Sequence, residues 1–283
     1  MIQEAAIKHH PIFASVVAPP VLPSFGEEYF EWEEYFEWVD MLEAVEASKG
    51  PFVFVELGAG FGRWAARALD AAKRKGITAS AVLVEAEPSH IKSAVKHMTK
   101  HGHSAESYTL IQAAVGAHSA REPFVVIGPH GLGPDKWYGQ ALAGPVHIAN
   151  FAPRKNRFGF RKRDRYFGHP VIYNASGWGA IEIEVHTLEQ ILPSTGIIDI
   201  IDMDIQGAEA DVIEGNLPLL CERVSRLHIG THSTDVEARI RSALSDTGWI
   251  NVWDFPCSSK KETPYGLIEF GDGVQGWKNP RVR

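Results

Sequence analysis

The stretch Phe52-Val-Phe-Val-Glu-Leu-Gly-Ala-Gly-Phe-Gly62 decides the fold of this chain. It begins as a continuous apolar run, which is typical of a strand buried on both faces of a parallel sheet. It ends in an acidic residue and three glycines at alternating positions. The next residues, Arg63 to Lys75, have helical spacing and no proline. The stretch therefore predicts a strand, a glycine turn open to a ligand, and a helix whose first free N–H groups face that ligand.

Strand and helix patterns alternate along the rest of the chain. A helix over Ser89 to His101, with Ser89 as its N-cap, follows a second buried strand. The alternation predicts an α/β fold with a doubly wound, mostly parallel seven-stranded sheet. Trp249–Phe255 and Tyr265–Phe270 are expected to close it as an antiparallel pair. The other predicted strands are Ala79–Glu85, Tyr108–Val115, Phe124–Ile127, Ile181–His186, Ile197–Asp204 and Val224–Ile229, and the other predicted helices cover 187–192, 206–220 and 234–246.

The main domain is predicted over residues 51–270, with an N-terminal helical arm over 1–50 and an irregular tail over 271–283. The arm ends in an aromatic helix whose apolar stripe lies opposite its glutamates. We expect the stripe to pack on the core or on a second subunit rather than to form a lid, because aromatic stripes usually mark packing. The arm and this helix make a homodimer an expectation. The stripe consists of Tyr29, Trp32, Phe36 and Val39.

Residues 128–179 break the alternation and are predicted to be a lid-like insertion. Within it, the basic run 153–165 contains Phe158 and Phe160, a composition that resembles a nucleic-acid patch. A lid or docked arm is favoured, because the rest of the chain is acidic. If the run binds an anion, we expect a phosphorylated or acidic small substrate.

The overall composition narrows the class of partner. A net charge of −7 and a pI of about 6.0 argue against a protein that lives on nucleic acid or on an anionic membrane. The two cysteines form neither a disulfide framework nor a zinc spacing, which fits a cytoplasmic setting. No signal peptide is recognised, and Pro19 and Pro20 break the apolar run 12–22, so no membrane span is expected.

The glycine spacing and its acidic neighbours indicate the cofactor. Arg63 stands where a dinucleotide fingerprint has its third glycine. Glu56, just ahead of the turn, suits a cation better than a pyrophosphate. Glu85 ends the next strand, where a carboxylate can accept hydrogen bonds from ribose hydroxyls. Because S-adenosylmethionine carries an amino group and a sulfonium, these residues favour it over a nicotinamide dinucleotide.

The motifs resemble those of a class I S-adenosylmethionine-dependent methyltransferase, and more narrowly those of the FkbM family. The similarity covers roughly residues 52–127 and 181–255, and the last of the motifs is the most specific to the family. Asp202 stands where that family usually has lysine. The carrying motifs are Val55–Gly62, Val84–Pro88, Gln112–Gly116 and Asp199–Glu209.

This resemblance implies roles for individual residues. Glu85 would hold the ribose, while Asp204 would meet the methionine amino group or the acceptor hydroxyl. The alternative for both carboxylates is that they only cap the following helices. The residues expected at the methionine part are Glu56, Gly58, Ala59, Gly60 and Gly62, and those bordering the adenine are Ala86 and Ala113.

The family resemblance also implies the reaction, methylation of a hydroxyl on a small molecule, sugar or glycan. Catalysis needs a base for the hydroxyl proton. His232 is the preferred candidate because it lies in a loop, and Asp204 is a further candidate. His228, within a strand, is either a third candidate or a core histidine with satisfied hydrogen bonds. Asp204 and His232 could bind a divalent cation, but two ligands are too few to predict a metal site. The alternative function is a non-catalytic binding module on the same fold.

Overall fold

The computed structural model describes residues 11–15, 34–128, 142, 151–152, 164–263 and 266–282. The helices are α1 (Glu34–Ala47), α2 (Arg63–Lys75), α3 (Pro88–Lys100), α4 (Leu188–Ile191), α5 (Glu209–Arg223) and α6 (Thr234–Asp246). The strands are β1 (Phe52–Leu57), β2 (Ala79–Glu85), β3 (Tyr108–Gln112), β4 (Ala114–Val115), β5 (Ala120–Ile127), β6 (Arg165–Tyr166), β7 (His169–Tyr173), β8 (Gly179–His186), β9 (Ile200–Met203), β10 (Arg226–Thr231), β11 (Ile250–Phe255), β12 (Ser259–Thr263), β13 (Gly266–Phe270) and β14 (Gly273–Lys278).

The predicted α/β fold with a mostly parallel seven-stranded sheet is confirmed. The strand order is β11-β14-β10-β9-β1-β2-β3. Neighbours β9, β1, β2 and β3 pair in parallel, whereas β14 runs antiparallel to both β10 and β11. Apolar side chains of the central strands are buried on both faces, which explains their continuous hydrophobic runs.

The antiparallel part of the sheet was predicted wrongly. The stretch after Gly271, interpreted as irregular, contains β14, which lies between β10 and β11. β13 pairs with β12 in a separate hairpin rather than with β11. The glycines that hid β14 are required by its packing. A Cβ atom on Gly276 would lie 2.3 Å from Trp253 Cδ1 and 2.8 Å from Asp40 Oδ2.

A second sheet extends the fold beyond the main one. The predicted strand Tyr108–Val115 divides at Ala113, so that β3 joins the main sheet and β4 starts the second. Strands β5, β7 and β8 complete its centre, and β6 forms its edge. Two of these strands, β6 and β7, lie inside the predicted insertion 128–179. The basic residues 153–163 lie outside the described residues.

Helix α1 packs on the core, as the aromatic stripe predicted for Phe36 and Val39. Tyr29 and Trp32 lie outside the described residues. The expectation that the glutamates occupy a separate polar face is wrong for Glu34, which is buried beside α2 and forms an ion pair with Arg63 at 2.5 Å. The helix is buried on nearly all sides, so its acidic residues must find partners inside the protein.

Two local findings complete the fold. The N-cap of α3 is Glu87 rather than Ser89, because Pro88 takes the first helical position and Glu87 accepts from the Ser89 and His90 N–H groups at 2.8 and 2.9 Å. In the part of the chain that the structure describes, no helix has the length and apolar character needed to cross a membrane.

Candidate active site

The glycine turn lies at the carboxyl ends of the central strands. Gly58 and Ala59 donate their N–H groups to Val84 O, both at 2.9 Å. Gly58 has φ +86°, and a Cβ atom there would lie 1.8 Å from Asp204 O, so only glycine fits. Gly60 has φ +52°, but a Cβ atom there would meet no atom within 4 Å. The turn is therefore tight on one side and open at Gly60, as a backbone that receives a ligand requires.

Glu85 ties the turn to the end of β2. One oxygen, Oε2, accepts from Gly60 N at 2.7 Å, and the other, Oε1, accepts from Glu87 N at 2.7 Å. The carboxylate is thus fixed by two backbone donors, one in the glycine turn and one at the N-cap of α3. It lines the first of two cavities, about 620 Å³ in volume.

We call this first cavity the apolar arm, because most of its walls are hydrophobic side chains. It brings together the predicted Gly58, Gly60, Glu85, Ala86 and Ala113. The sequence did not indicate its further lining residues Val84, His90, Ala114, Val115, Phe124, Leu142, Ile205 and Gln206.

The second cavity, the acidic arm, has a volume of about 940 Å³. It shares Gly58, Gly60 and Asp204 with the apolar arm, so the two form one cleft on either side of the turn. Its walls include Ala59, Arg63 and a set of carboxyl side chains. Those carboxyl side chains are Glu34, Glu37, Glu56, Asp202, Asp204 and Asp272. Gly62 lines neither arm, since it packs against Leu83 and Met98.

Glu56 occupies the start of α2, a role the sequence did not predict. Its carboxylate accepts from Trp64 N at 3.3 Å and Ala65 N at 2.9 Å. The N–H groups expected to face a ligand are therefore partly taken by the protein itself. Burial, followed by the charge of Asp202, raises the pKa of Glu56 to about 8. Glu56 nevertheless borders the acidic arm.

Three carboxyl groups of this arm, those of Glu56, Asp202 and Glu37, have pKa values raised by burial. Glu56, Asp202 and His228 occupy matching register positions on neighbouring strands. Burial raises the pKa of Asp202 to about 6. Burial, and then the neighbouring Asp202, raise the pKa of Glu37 well above its usual range. Such shifts occur where desolvation and like charges disfavour the ionised form.

His228 lines the acidic arm and is held in place by a carboxylate. Its Nδ1 atom lies 2.7 Å from Asp40 Oδ2, and Asp40 Oδ1 accepts from Trp253 Nε1 at 3.0 Å. This leaves Nε2 without a hydrogen-bond partner among the described residues. Burial opposes the charged form, but the hydrogen bond and charge of Asp40, followed by Asp202, raise the pKa of His228 above its ordinary value.

His232 lies behind Asp204 and lines neither arm. Its Nδ1 atom is 3.2 Å from Glu209 Oε1, and its Nε2 atom is 3.3 Å from Asp204 Oδ1. Burial opposes charging, but these two carboxylates raise the pKa of His232 to about 10. A ring that faces a carboxylate at each nitrogen is poorly suited to act as a base, because neither nitrogen is open to an acceptor hydroxyl.

Glu209 folds the loop that carries Asp204. Its Oε1 atom accepts from Ile205 N at 3.1 Å and from Gly207 N at 3.0 Å. The side chain is fully buried. Because a carboxylate at the start of a helix bonds local N–H groups, the glutamate of this motif is explained by loop structure. Glu209 is the last residue of the motif Asp199–Glu209, but the sequence gives no sign of this structural role.

Comparison with known proteins identifies the family. The model of the Methyltransferase FkbM domain matches residues 56–244, more than half of this 283-residue chain. The chain belongs to the FkbM methyltransferase family. The resemblance drawn from the motifs is thereby confirmed, and so is methyl transfer as the activity.

Individual relatives share between 10% and 27% of their residues with this chain. A protein of Jannaschia sp. (strain CCS1) with the name "Putative methyltransferase" is 27% identical over 242 residues, which cover 84% of this FkbM-family chain and 76% of the relative. The FkbM methyltransferase of Methylobacillus flagellatus KT superposes with a TM-score of 0.46 at 11% identity, covering 95% of this chain and 58% of that one. The precorrin-6y C5,15-methyltransferase of Geobacter metallireducens GS-15 gives a TM-score of 0.44 at 10% identity, covering 90% and 92%.

Proposed function

We propose that this FkbM-family methyltransferase uses S-adenosylmethionine to methylate a hydroxyl of a small molecule, sugar or glycan. The observation that carries the proposal is the divided cleft around the open turn at Gly60. One arm offers apolar walls and Glu85, which suit an adenosine with its ribose hydroxyls. The other offers carboxyl groups, which suit the positive amino group and sulfonium.

The acidic arm also bears on the acceptor. Its carboxyl groups outnumber its basic residues, Arg63 and His228, and Glu34 already pairs with Arg63. Both basic residues of the described lining are already paired with carboxylates, Arg63 with Glu34 and His228 with Asp40, so an anionic acceptor would meet no available cation there. The arm therefore supports a neutral or cationic acceptor rather than the acidic substrate that the basic run 153–165 suggested.

His228 is the residue we assign as the base. When bound, S-adenosylmethionine would supply a methyl carbon for the acceptor oxygen. The carbon–sulfur bond would break with its electron pair remaining on sulfur, and the acceptor hydroxyl would lose its proton. His228 Nε2 would receive that proton, because Asp40 holds Nδ1 and fixes the ring. We therefore prefer His228 to His232 as the base, since carboxylates flank both nitrogens of His232.

Binding of S-adenosylhomocysteine tests the cofactor assignment. Calorimetry on the full chain should give micromolar affinity, with no heat from NADH. Gly60→Ala should weaken binding at least tenfold, because the new methyl group occupies the space that the ligand needs. Gly76→Ala is the matched control, since Gly76 also has a left-handed backbone, with φ +77°, and no atom within 4 Å of a built Cβ.

Both substitutions carry a similar backbone cost of about 1 kcal/mol. A loss of affinity shared equally by the two variants would therefore count against the proposal. So would binding of NADH in place of S-adenosylhomocysteine, or binding of neither, which would fit a non-catalytic module.

A further inference from the structure

Three polar side-chain atoms converge beside the acidic arm. Asp204 Oδ1 lies 3.3 Å from His232 Nε2, and the Gln206 amide Nε2 lies 3.0 Å from the former and 2.8 Å from the latter. A six-coordinate cation with ligands at about 2.1 Å holds neighbouring ligand atoms about 3 Å apart. The three atoms therefore already have the mutual spacing of one face of such a coordination shell.

The Gln206 amide can present either atom to this point. Its nitrogen and oxygen are nearly equal in shape, so a half-turn of the amide places the oxygen where the nitrogen stands. In the present orientation the nitrogen donates to Asp204 and faces the ring of His232. After the half-turn, two oxygens and one imidazole nitrogen face a common centre, a set that suits a divalent cation.

The loop contacts of Glu209 leave one of its carboxylate oxygens unused. It is fully buried, and its Oε2 atom has no hydrogen-bond partner among the described residues. Its Oε1 atom lies 3.2 Å from His232 Nδ1, the ring nitrogen that points away from the converging atoms. A metal-bound histidine commonly gives its other N–H to a carboxylate, which orients the ring.

We propose that Asp204, Gln206 and His232 bind a divalent cation such as Mg²⁺ or Mn²⁺, with Glu209 orienting His232. Asp272 adds a further carboxylate near this position, with its Oδ2 atom 3.9 Å from His232 Nε2. The proposal exceeds the sequence expectation, which counted two ligands and predicted no metal. Its catalytic meaning rests on the proposed function: the cation would lie beside the acceptor and make a hydroxyl more acidic.

Mn²⁺ titration tests the site without any need for turnover. Electron paramagnetic resonance of free Mn²⁺ at constant pH should show one bound ion per full-length chain. Gln206→Leu and His232→Ala should weaken binding at least tenfold, and Glu209→Gln by about 10- to 100-fold. Asp211→Asn, an exposed carboxylate of α5 that pairs with Arg239, is the control and should bind like the natural chain.

Binding of Mn²⁺ and binding of S-adenosylhomocysteine test the metal site and the cofactor assignment separately. Stoichiometric Mn²⁺ binding that depends on Gln206 and His232 supports the site. If the natural chain binds S-adenosylhomocysteine but no Mn²⁺, the metal site is wrong and the cofactor assignment stands. Binding that is equal in Gln206→Leu, Asp211→Asn and the natural chain also overturns the site. Gln206→Leu decides the matter if His232→Ala fails to fold, because the Gln206 side chain takes no part in the core.

Discussion

The two arms of the cleft differ in how the chain builds them. The apolar arm is built mainly from strand ends and the loops that directly follow them, with Glu85, Ala86 and Ala113 close to the glycine turn. The acidic arm collects residues from distant parts of the chain, including Glu37 from α1 and Asp272 just before β14. The first arm is thus a product of local sequence, whereas the second exists only after the chain has folded.

This difference suggests a division of labour. The apolar arm contains Glu85, a carboxylate fixed by backbone donors, which suits recognition of an invariant cofactor. The acidic arm contains groups whose protonation is shifted by burial and by one another, which suits chemistry and choice of acceptor.

Removing the base should separate chemistry from binding. His228→Gln should lower kcat by about 10²- to 10⁴-fold with an acceptor found by screening, because the hydroxyl proton loses its recipient. S-adenosylhomocysteine affinity, measured by calorimetry, should change less than threefold. His186→Gln, in the second sheet, is the control. Unchanged turnover in His228→Gln would show that the acidic arm does not supply the base.

Glu56 should make stability depend on pH. Its pKa of about 8 in the folded protein exceeds its ordinary value of 4.5, so the folded state holds a proton that the unfolded state releases. The stabilisation is complete below pH 4.5 and is lost as pH rises through 8. Glu56→Gln keeps a neutral side chain, so it should reduce the fall in unfolding free energy over this range by on the order of 3 kcal/mol.

Urea denaturation at pH 5 and pH 8 measures this difference. Glu106→Gln, at an exposed position, controls for the loss of one carboxylate. A fall in stability that is the same in Glu56→Gln and in Glu106→Gln would mean that Glu56 is ionised in the folded protein.

Glu85 should affect binding rather than chemistry. Glu85→Gln replaces a carboxylate that accepts from two backbone N–H groups and that we expect to accept from the ribose in the complex. Hydrogen bonds to charged groups contribute about 1.5 to 3 kcal/mol, so affinity for S-adenosylhomocysteine should fall roughly 10- to 100-fold. Calorimetry gives the affinity, and kcat at saturating cofactor should stay within threefold. A large loss of kcat would contradict the assignment of binding to the apolar arm and of chemistry to the acidic arm.

Asp40 should tune His228 without touching substrate. Asp40→Asn removes the charge that, against the effect of burial, raises the pKa of His228. His228 would then lose its proton at lower pH, so the rise of kcat with pH should move to lower pH. Weaker positioning should also reduce the maximal kcat by roughly tenfold. A pH profile that does not move would assign Asp40 a packing role only.

Much of the fold follows from local sequence. The strand, turn and helix from Phe52 to Lys75 were predictable because an apolar run, glycines and helical spacing coincide. Strand β14 was missed because its Gly276 serves close packing against Trp253 and Asp40, and Asp40 lies far away in the chain. The division at Ala113 was missed for a similar reason, since strand patterns do not say which sheet a strand joins.

The site likewise contains residues that local sequence predicts and residues that depend on contacts between distant parts of the chain. Residues next to the glycine turn were predicted to lie together, and they do, although their contacts with a cofactor stay a prediction. Our proposal prefers His228 to His232 as the base, because the sequence places His232 in a loop but does not show Asp204 and Glu209 around it. Asp40 gave no signal, because its contact with His228 spans 188 residues. The homodimer also stays a prediction.

A crystal structure of the complex with S-adenosylhomocysteine tests the central claim most directly. We expect the adenosine in the apolar arm, its ribose hydroxyls on Glu85, and the sulfur turned toward the acidic arm and His228. An adenosine in the acidic arm, or a sulfur that faces away from it, would contradict the account.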